Sequence, residues 1–393
     1  MRVAYVCLDA GVPVFGRKGC SIHVQDVVRA FRKLGAEVSL FAAQVGGQSP
    51  SDMTSVSVNQ LSVYDKTDRK HHEASALAAN KQITEMLDRE GRFDLVYERY
   101  SLWSYATMEW ARIQGIPGVL EVNAPLIEEQ SRHRELNNRA SAEEVAARVF
   151  GSAQTLIAVS EEVANYLERF PTAIGHVHVV PNGVNVDCFP VTTHPTVPTP
   201  EGAFTIGFLG TLKPWHGLPV LVEAFALVHE QYPNTRLLIV GDGREREKLL
   251  ADLRARNLEK FAVLTGAVDH DDVPGVLASM DVAVAPYPAK SDFYFSPLKV
   301  YEYMAAGLPV VASRCGQLSS VINHGESGLL CEPGSASSLA KAICQLINDA
   351  ALRDRLGRNA RTSVERNHTW TVSLDRILSA ASVVPNCAEV VCI

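Results

Sequence analysis

Hydrophobic positions along the chain fall into short runs, separated by longer stretches in which apolar residues recur at helical spacing. The first run, Val3–Leu8, is followed by Val24–Leu34 with an apolar helical stripe, then by Gly35 and a second run, Glu37–Ala42. This is the pattern of a βαβ unit, whose strands pair in parallel. Leu95–Tyr97, Val119–Val122, Leu156–Val159 and Val177–Val180 predict further strands, with helices between them, one near Ser141–Phe150. The alternation breaks at Pro190–Pro200, PVTTHPTVPTP, where proline neither continues a helix nor donates to a central strand. It then restarts. Thr205–Leu209, Arg236–Val240, Ala262–Leu264, Val282–Ala285 and Pro309–Ala312 predict strands; Leu218–Glu230, Glu245–Arg256 and Pro297–Ala306 predict helices. A helical stretch near Ser373–Ala381 and a poorly patterned apolar tail, Val383–Ile393, close the chain. The expectation is an α/β protein of two Rossmann-like parallel-sheet domains, residues 1–190 and 204–370, joined by a Pro/Thr-rich linker at 191–203.

Composition narrows the class. The 393 residues suit two domains, and 47% hydrophobic with 21% charged residues is ordinary for a soluble enzyme. A net charge of −7 offers no basic field for a phosphate backbone, which argues against a nucleic-acid partner. The absence of a basic amphipathic stretch argues against a membrane surface. The eight cysteines lack zinc-site spacing and read as free thiols of a reducing compartment. Asp9 interrupts the first apolar run too early for a secretory leader, and no run is long enough to span a bilayer, so a cytoplasmic protein is expected.

In open parallel sheets ligands bind beyond the carboxyl ends of the strands, so candidate chemistry is sought there. After the first strand, Gly11, Gly16 and Gly19 lead into a helix carrying His23, and a glycine turn at a helix N-terminus offers backbone N–H groups to an anion or a hydroxyl. A plain glycine turn fits the same residues. Arg99 and Asn123 each follow an apolar run abruptly, although a rim ion pair would also account for Arg99. Ser160 reads as a helix N-cap, with Glu161 and Glu162 in the first turn. In the second half, Gly210-Thr211-Leu212-Lys213-Pro214-Trp215-His216-Gly217 joins a small-residue turn to a cation suited to phosphate. The richest segment is Phe293–Ser313. There Ser296 is expected as N-cap and Pro297 as the first helical residue, with Lys299 and Glu302 on one helix face. A surface ion pair is the alternative for those two; against it, Leu298, Val300 and Met304 make the rest of the helix apolar.

These segments resemble glycosyltransferase family 4, whose members are retaining enzymes of the GT-B fold, in which the two domains face a deep interdomain cleft. The resemblance spans nearly the whole chain. Ser296–Ser313 resembles the family's donor-site helix, and Glu302 matches the second Glu of its E-x7-E motif, which holds the nucleotide ribose. Gly210–Gly217 resembles the diphosphate loop, the stretch containing Val268 the part beside the nucleobase, and Gly16–His23 the N-terminal glycine loop. The final helix resembles the one that crosses back to the first domain. Four positions depart from the pattern. Tyr294 stands where the first Glu of the motif is expected, Thr211 and His216 where the diphosphate loop has Arg and Lys, and Asn123 where a His is often found.

The resemblance implies transfer of a sugar from a nucleoside-diphosphate sugar, UDP- or GDP-linked, to an acceptor hydroxyl, with no cofactor; no carboxylate cluster has metal-ligand spacing, so no metal is expected. The donor would meet Gly19, Gly210, Thr211, Lys213, His216, Val268, Tyr294, Ser296, Pro297, Leu298, Lys299 and Glu302. The acceptor would meet Gly16, His23, Arg99 and Asn123, with His23, Asn123 and Lys213 nearest the chemistry. A nucleotide-sugar epimerase and a non-catalytic nucleotide-sugar-binding protein are the alternatives. A nicotinamide oxidoreductase is disfavoured by the missing G-x-G-x-x-G.

Overall fold

Because parallel strands are covered on both faces, their residues are apolar almost throughout; VAVA at 282–285 is buried end to end. The computed structural model describes residues 1–62, 69–133, 135–289, 293–294 and 296–384. The far tail with Cys387 and Cys392, and positions 290–292 and 295 of the loop before the Lys299 helix, lie outside the described residues. The chain forms two units, one from Met1–Asn182, Tyr294–Ser296 and Trp370–Ile393, the other from Gly183–Phe293 and Pro297–Thr369.

The first unit is built on β1 (Arg2–Cys7), β2 (Glu37–Ala42), β3 (Ser57–Gln60), β4 (Leu95–Arg99), β5 (Gly118–Val122), β6 (Thr155–Ala158) and β7 (Val177–Val179). They pair in the order β3-β2-β1-β4-β5-β6-β7, every neighbour parallel. The order reverses between β1 and β4, and such a switch point opens a crevice at the carboxyl ends of the two strands. The connecting helices are α1 (Gly19–Lys33), α2 (Arg69–Glu90), α3 (Ala106–Gln114), α4 (Leu126–His133), α5 (Arg139–Ser152) and α6 (Glu161–Leu167). Alternation along β1 divides the core. Val3, Tyr5 and Cys7 pack with Val24, Val27 and Phe31 of α1, whereas Ala4 and Val6 pack with Ile83 of α2 and Met108 of α3.

The second unit repeats the plan with β8 (Phe204–Leu209), β9 (Thr235–Val240), β10 (Ala262–Gly266), β11 (Val282–Ala285), β12 (Val310–Ser313) and β13 (Leu329–Cys331), in the order β10-β9-β8-β11-β12-β13. Its switch point lies between β8 and β11. Its helices are α7 (Leu218–Gln231), α8 (Arg246–Ala255), α9 (Val273–Leu277), α10 (Leu298–Ala305), α11 (Leu318–Val321), α12 (Ala336–Asn348) and α13 (Ala350–Asn367). The Pro/Thr-rich stretch has no helix or strand and is strapped to this unit. Arg236 donates to the Pro198 carbonyl and to Thr199, and Ser279 Oγ accepts from the N–H groups of Thr196 and Val197 at 3.1 and 3.0 Å.

The last described helix, α14 (Trp370–Ala380), belongs to the first unit and packs against α1 through Trp370, Leu374, Ile377 and Leu378. Burying each of the three aliphatic side chains is worth about 1.5–3 kcal/mol. β3 and β13 are strands that the hydropathy pattern does not predict: SVNQ is polar and only half-covered, and LLC is short. β2 and β11 run where the pattern puts them, and α1 begins at Gly19 rather than Val24.

Candidate functional site

In the second unit the turn after β8 is shaped by glycine. Gly217 has φ +68°, and a Cβ there would sit 1.6 Å from the Pro286 carbonyl oxygen, so the β8 turn lies directly against the end of β11. Gly210, with φ +139°, leaves room for Lys299, whose ammonium would be 2.8 Å from a Cβ at that position. Lys299 lies in the first turn of α10. Its Nζ is buried, has no hydrogen-bond partner, and sits 4.2 Å from the ring centre of Phe208 and 5.6 Å from that of Tyr287. Burial pushes its pKa down to about 7, against the pull of Glu302 one turn further on and with a smaller push from Lys213. Lys213 is exposed, its ammonium 4.8 Å from the ring centre of Trp215. His216 packs edge-on to Tyr287, and its Nδ1 is 2.6 Å from the Thr211 carbonyl oxygen, the arrangement of an N–H donor. Burial first, then Lys299, hold its pKa at about 3, so His216 is neutral at neutral pH and adds no charge to the loop.

The switch point therefore gathers Gly210, Thr211, Lys213, His216, Lys299 and Glu302. Val268 stands apart, beyond the end of the edge strand β10. Ser296 is not the cap of α10. Pro297 occupies that position with ψ 69°, outside helical backbone, so the helix begins at Leu298; Ser296 Oγ is buried without a partner. Tyr294 is part of the first unit. Its hydroxyl donates to Glu129 of α4 at 2.7 Å, and its carbonyl accepts from the Ser160 hydroxyl at 3.1 Å. Ser160 also caps α6 by accepting from the Val163 N–H, as its sequence context predicts.

In the first unit, Gln25 of α1 clamps the glycine loop by donating to the carbonyls of Val14 and Gly16 at 3.0 and 3.1 Å. Gly19 starts α1, whose first turn carries no acidic residue. Beneath this loop lies a carboxylate that sequence reasoning missed. Glu121 of β5 is 1% exposed and stands directly across from Arg99 of β4 in the parallel register. Its Oε1 receives Asn123 Nδ2 at 2.8 Å and lies 2.6 Å from His23 Nε2; its Oε2 receives the Tyr97 hydroxyl. Burial alone would raise its pKa, but the charges of His23 and Arg99 and the hydrogen bonds from His23 and Tyr97 outweigh that and hold it at about 2. His23 is itself 2% exposed, lies 3.2 Å from Asn182 Oδ1, and meets Trp370 edge-on. Asn123 and Arg99 are half-buried, and Arg99 Nη1 is buried with no partner. His23 and Asn123 thus meet on Glu121, with Arg99 across from it in the register, while Gly16 lies in the loop after β1 that Gln25 clamps.

Residues 17–187 match the family described as Glycosyltransferase Family 4, and residues 203–349 match Glycosyl transferases group 1. The chain belongs to glycosyltransferase family 4. The D-inositol 3-phosphate glycosyltransferase of Arthrobacter sp. (strain FB24) is 26% identical to this glycosyltransferase over 363 residues, spanning 87% of this chain and 85% of that protein. Among solved structures, the sucrose-phosphate synthase of Thermosynechococcus elongatus superposes with a TM-score of 0.74 at 21% identity, covering 96% of this chain and 97% of its own. HepE of Anabaena, in complex with UDP and glucose, gives 0.73 at 19%, covering 98% and 100%. The fold of the glycosyltransferase is accordingly GT-B, each unit one of its Rossmann-like halves.

Glu121 had a signal of its own in the sequence. A Glu inside VLEV, in a strand covered on both faces, has to be paired, because burying a lone carboxylate is too costly. The same cost falls on Glu98 of β4, which faces away from Glu121 and meets that cost by holding its proton. It is fully buried, accepts from the Ser104 hydroxyl, and has its pKa pushed up to about 8 by burial. No helix among the described residues of the glycosyltransferase is long and apolar enough to cross a membrane.

Proposed function

We propose that this enzyme transfers a glycosyl group from a nucleoside-diphosphate sugar, UDP- or GDP-linked, to an acceptor hydroxyl with retention of configuration and without a metal ion. The observation that carries this reading is Lys299. A buried ammonium with no partner, beside a glycine turn at the sheet's switch point, lacks only an anion. A diphosphate supplies one. Lys299 and Lys213 then meet the negative charge that grows on the departing diphosphate, and Glu302, one turn further along α10, accepts from the ribose hydroxyls. The bond from the anomeric carbon to the β-phosphate oxygen breaks with its electron pair staying on the phosphate. The acceptor oxygen bonds to the same face of the sugar and gives its proton to the departing phosphate. HepE, a neighbour of the same fold, holds UDP and glucose, which supports a UDP-linked donor. The first unit takes the acceptor, through Gly16, Arg99, Asn123 and the cluster to which His23 belongs.

The test is a thermal-shift panel of UDP, GDP, dTDP and ADP with their sugars, in EDTA. A nucleotide that binds the folded state raises the midpoint with concentration. Transfer is then assayed with D-inositol 3-phosphate, the acceptor in the name of the Arthrobacter relative, and with glucose. Glu302→Ala should raise the donor KM strongly. Failure of every nucleotide to stabilise the wild type, or an unchanged donor KM in Glu302→Ala, would sink the donor assignment.

A further inference from the structure

We propose that Glu121 is the positioning residue of the acceptor site: it orients Asn123 and Arg99 to receive the acceptor hydroxyl, and His23 acts through it without touching substrate. The proposal rests on the reading of the first unit as the acceptor's, and the atoms around Glu121 argue for the division of labour. A carboxylate only accepts hydrogen bonds. Glu121 Oε1 already takes Asn123 Nδ2 and His23 Nε2, its Oε2 takes Tyr97, and the group is 1% exposed. It is committed to its neighbours and is no general base for a substrate.

What it holds faces a different fate. Asn123 gives its amide nitrogen to Glu121 at 2.8 Å, which fixes the side chain and leaves its amide oxygen as the acceptor. Arg99, opposite Glu121 in the register, keeps a buried Nη1 without a partner. Both residues are half-buried, at the carboxyl ends of neighbouring strands. One acceptor and one donor are the pair that fixes a hydroxyl, which is both at once. His23, by contrast, is 2% exposed, with its Nε2 shared between Glu121 and Asn182 and its ring against Trp370. It ties α1 and α14 to the carboxylate and so fixes where the carboxylate stands.

The proposal is tested by comparing Glu121→Gln, Asn123→Ala and the double variant. The readouts are release of UDP from UDP-glucose, with water and with glucose as acceptor, and UDP binding by calorimetry. If Glu121 acts through Asn123, each single variant lowers kcat about tenfold or more, UDP affinity stays within about twofold, and the double variant is no worse than the poorer single one. A residue that only stabilises the fold would lower the melting midpoint and leave kcat per folded molecule unchanged, and that result, or additive losses in the double variant, overturns the proposal. Should Glu121→Gln fail to fold, Asn123→Asp decides. It sets two carboxylates against each other, so it should lose as much kcat as Asn123→Ala; wild-type turnover in it overturns the proposal. The same readouts are taken with GDP and GDP-glucose, and if the wild type binds neither nucleotide and turns over neither sugar, the donor reading falls and takes this inference with it. Normal UDP binding with unaffected variants refutes the inference alone.

Discussion

Replacing Lys299 with Met keeps the length of the side chain and removes a buried ammonium, and two opposite effects should follow. Burial has taken the Lys299 pKa from 10.5 to about 7. At about 1.4 kcal/mol per tenfold, that is roughly 5 kcal/mol of bias against the charged form. The unfolded chain keeps this proton up to pH 10.5 while the folded protein releases it from about pH 7. Stability therefore rises with pH through that window, and Lys299→Met should abolish the rise. Ligand binding runs the other way. A diphosphate needs the ammonium charged, so above pH 7 UDP must bring a proton with it. At pH 8.5, only about 3% of a group with a pKa near 7 is protonated in the free protein, so uptake should approach one proton per UDP.

Calorimetric titration with UDP at pH 8.5, in two buffers of different ionisation enthalpy, measures that uptake directly. For wild type the enthalpies should differ by nearly the full difference in buffer ionisation. For Lys299→Met they should coincide, with affinity at pH 7 reduced by the 2–5 kcal/mol typical of losing one member of a buried charge pair, roughly 30-fold to several thousandfold. His216 shares the loop but is neutral across this range, and Lys299 is the group that takes up the proton. UDP that binds wild type with no proton uptake, or binds Lys299→Met as tightly as wild type, refutes the claim that this ammonium waits for the diphosphate.

Glu98 gives a pH signature of the opposite sign. Its folded-state pKa is raised to about 8, so its contribution is present below the unfolded value near 4.5 and is lost as pH rises through 8; Glu98→Gln should raise the thermal midpoint at pH 8.5 more than at pH 5. Glu121 is held at about 2, so its contribution is present above 4.5 and fades only as pH falls toward 2; an acid-unfolding curve of Glu121→Gln should be flatter than wild type below pH 4.5. Gly217→Ala places a Cβ against the Pro286 carbonyl and requires φ +68°, so it should cost at least about 1–3 kcal/mol of stability by urea unfolding and weaken UDP binding as the β8 turn is displaced.

How much of this was legible in the sequence depends on what each feature answers to. Parallel strands are covered on both faces, so their apolar runs stand out without context, and the strands on either side of both switch points were read within a residue or two. The switch points fix the carboxyl-end loops, so the places of Lys213, Arg99 and Asn123 in the fold follow from strand position alone. What the sequence does not carry is the state of each group once packed. His216 was a plausible cation until burial beside Lys299 made it neutral. Ser296 was a plausible cap until the backbone at Pro297 moved the helix start on by one. Glu121 stands inside β5, one residue before its carboxyl end, and so lies outside the strand-end loops. Yet His23, Asn123 and Tyr97 all contact it, and Arg99 stands across from it in the register. A charge inside an otherwise apolar buried strand is itself a demand for partners. That demand is met from three sides, by His23 of α1, Tyr97 of β4 and Asn123 beyond β5, so the one charge inside VLEV ties together residues that lie far apart in the chain.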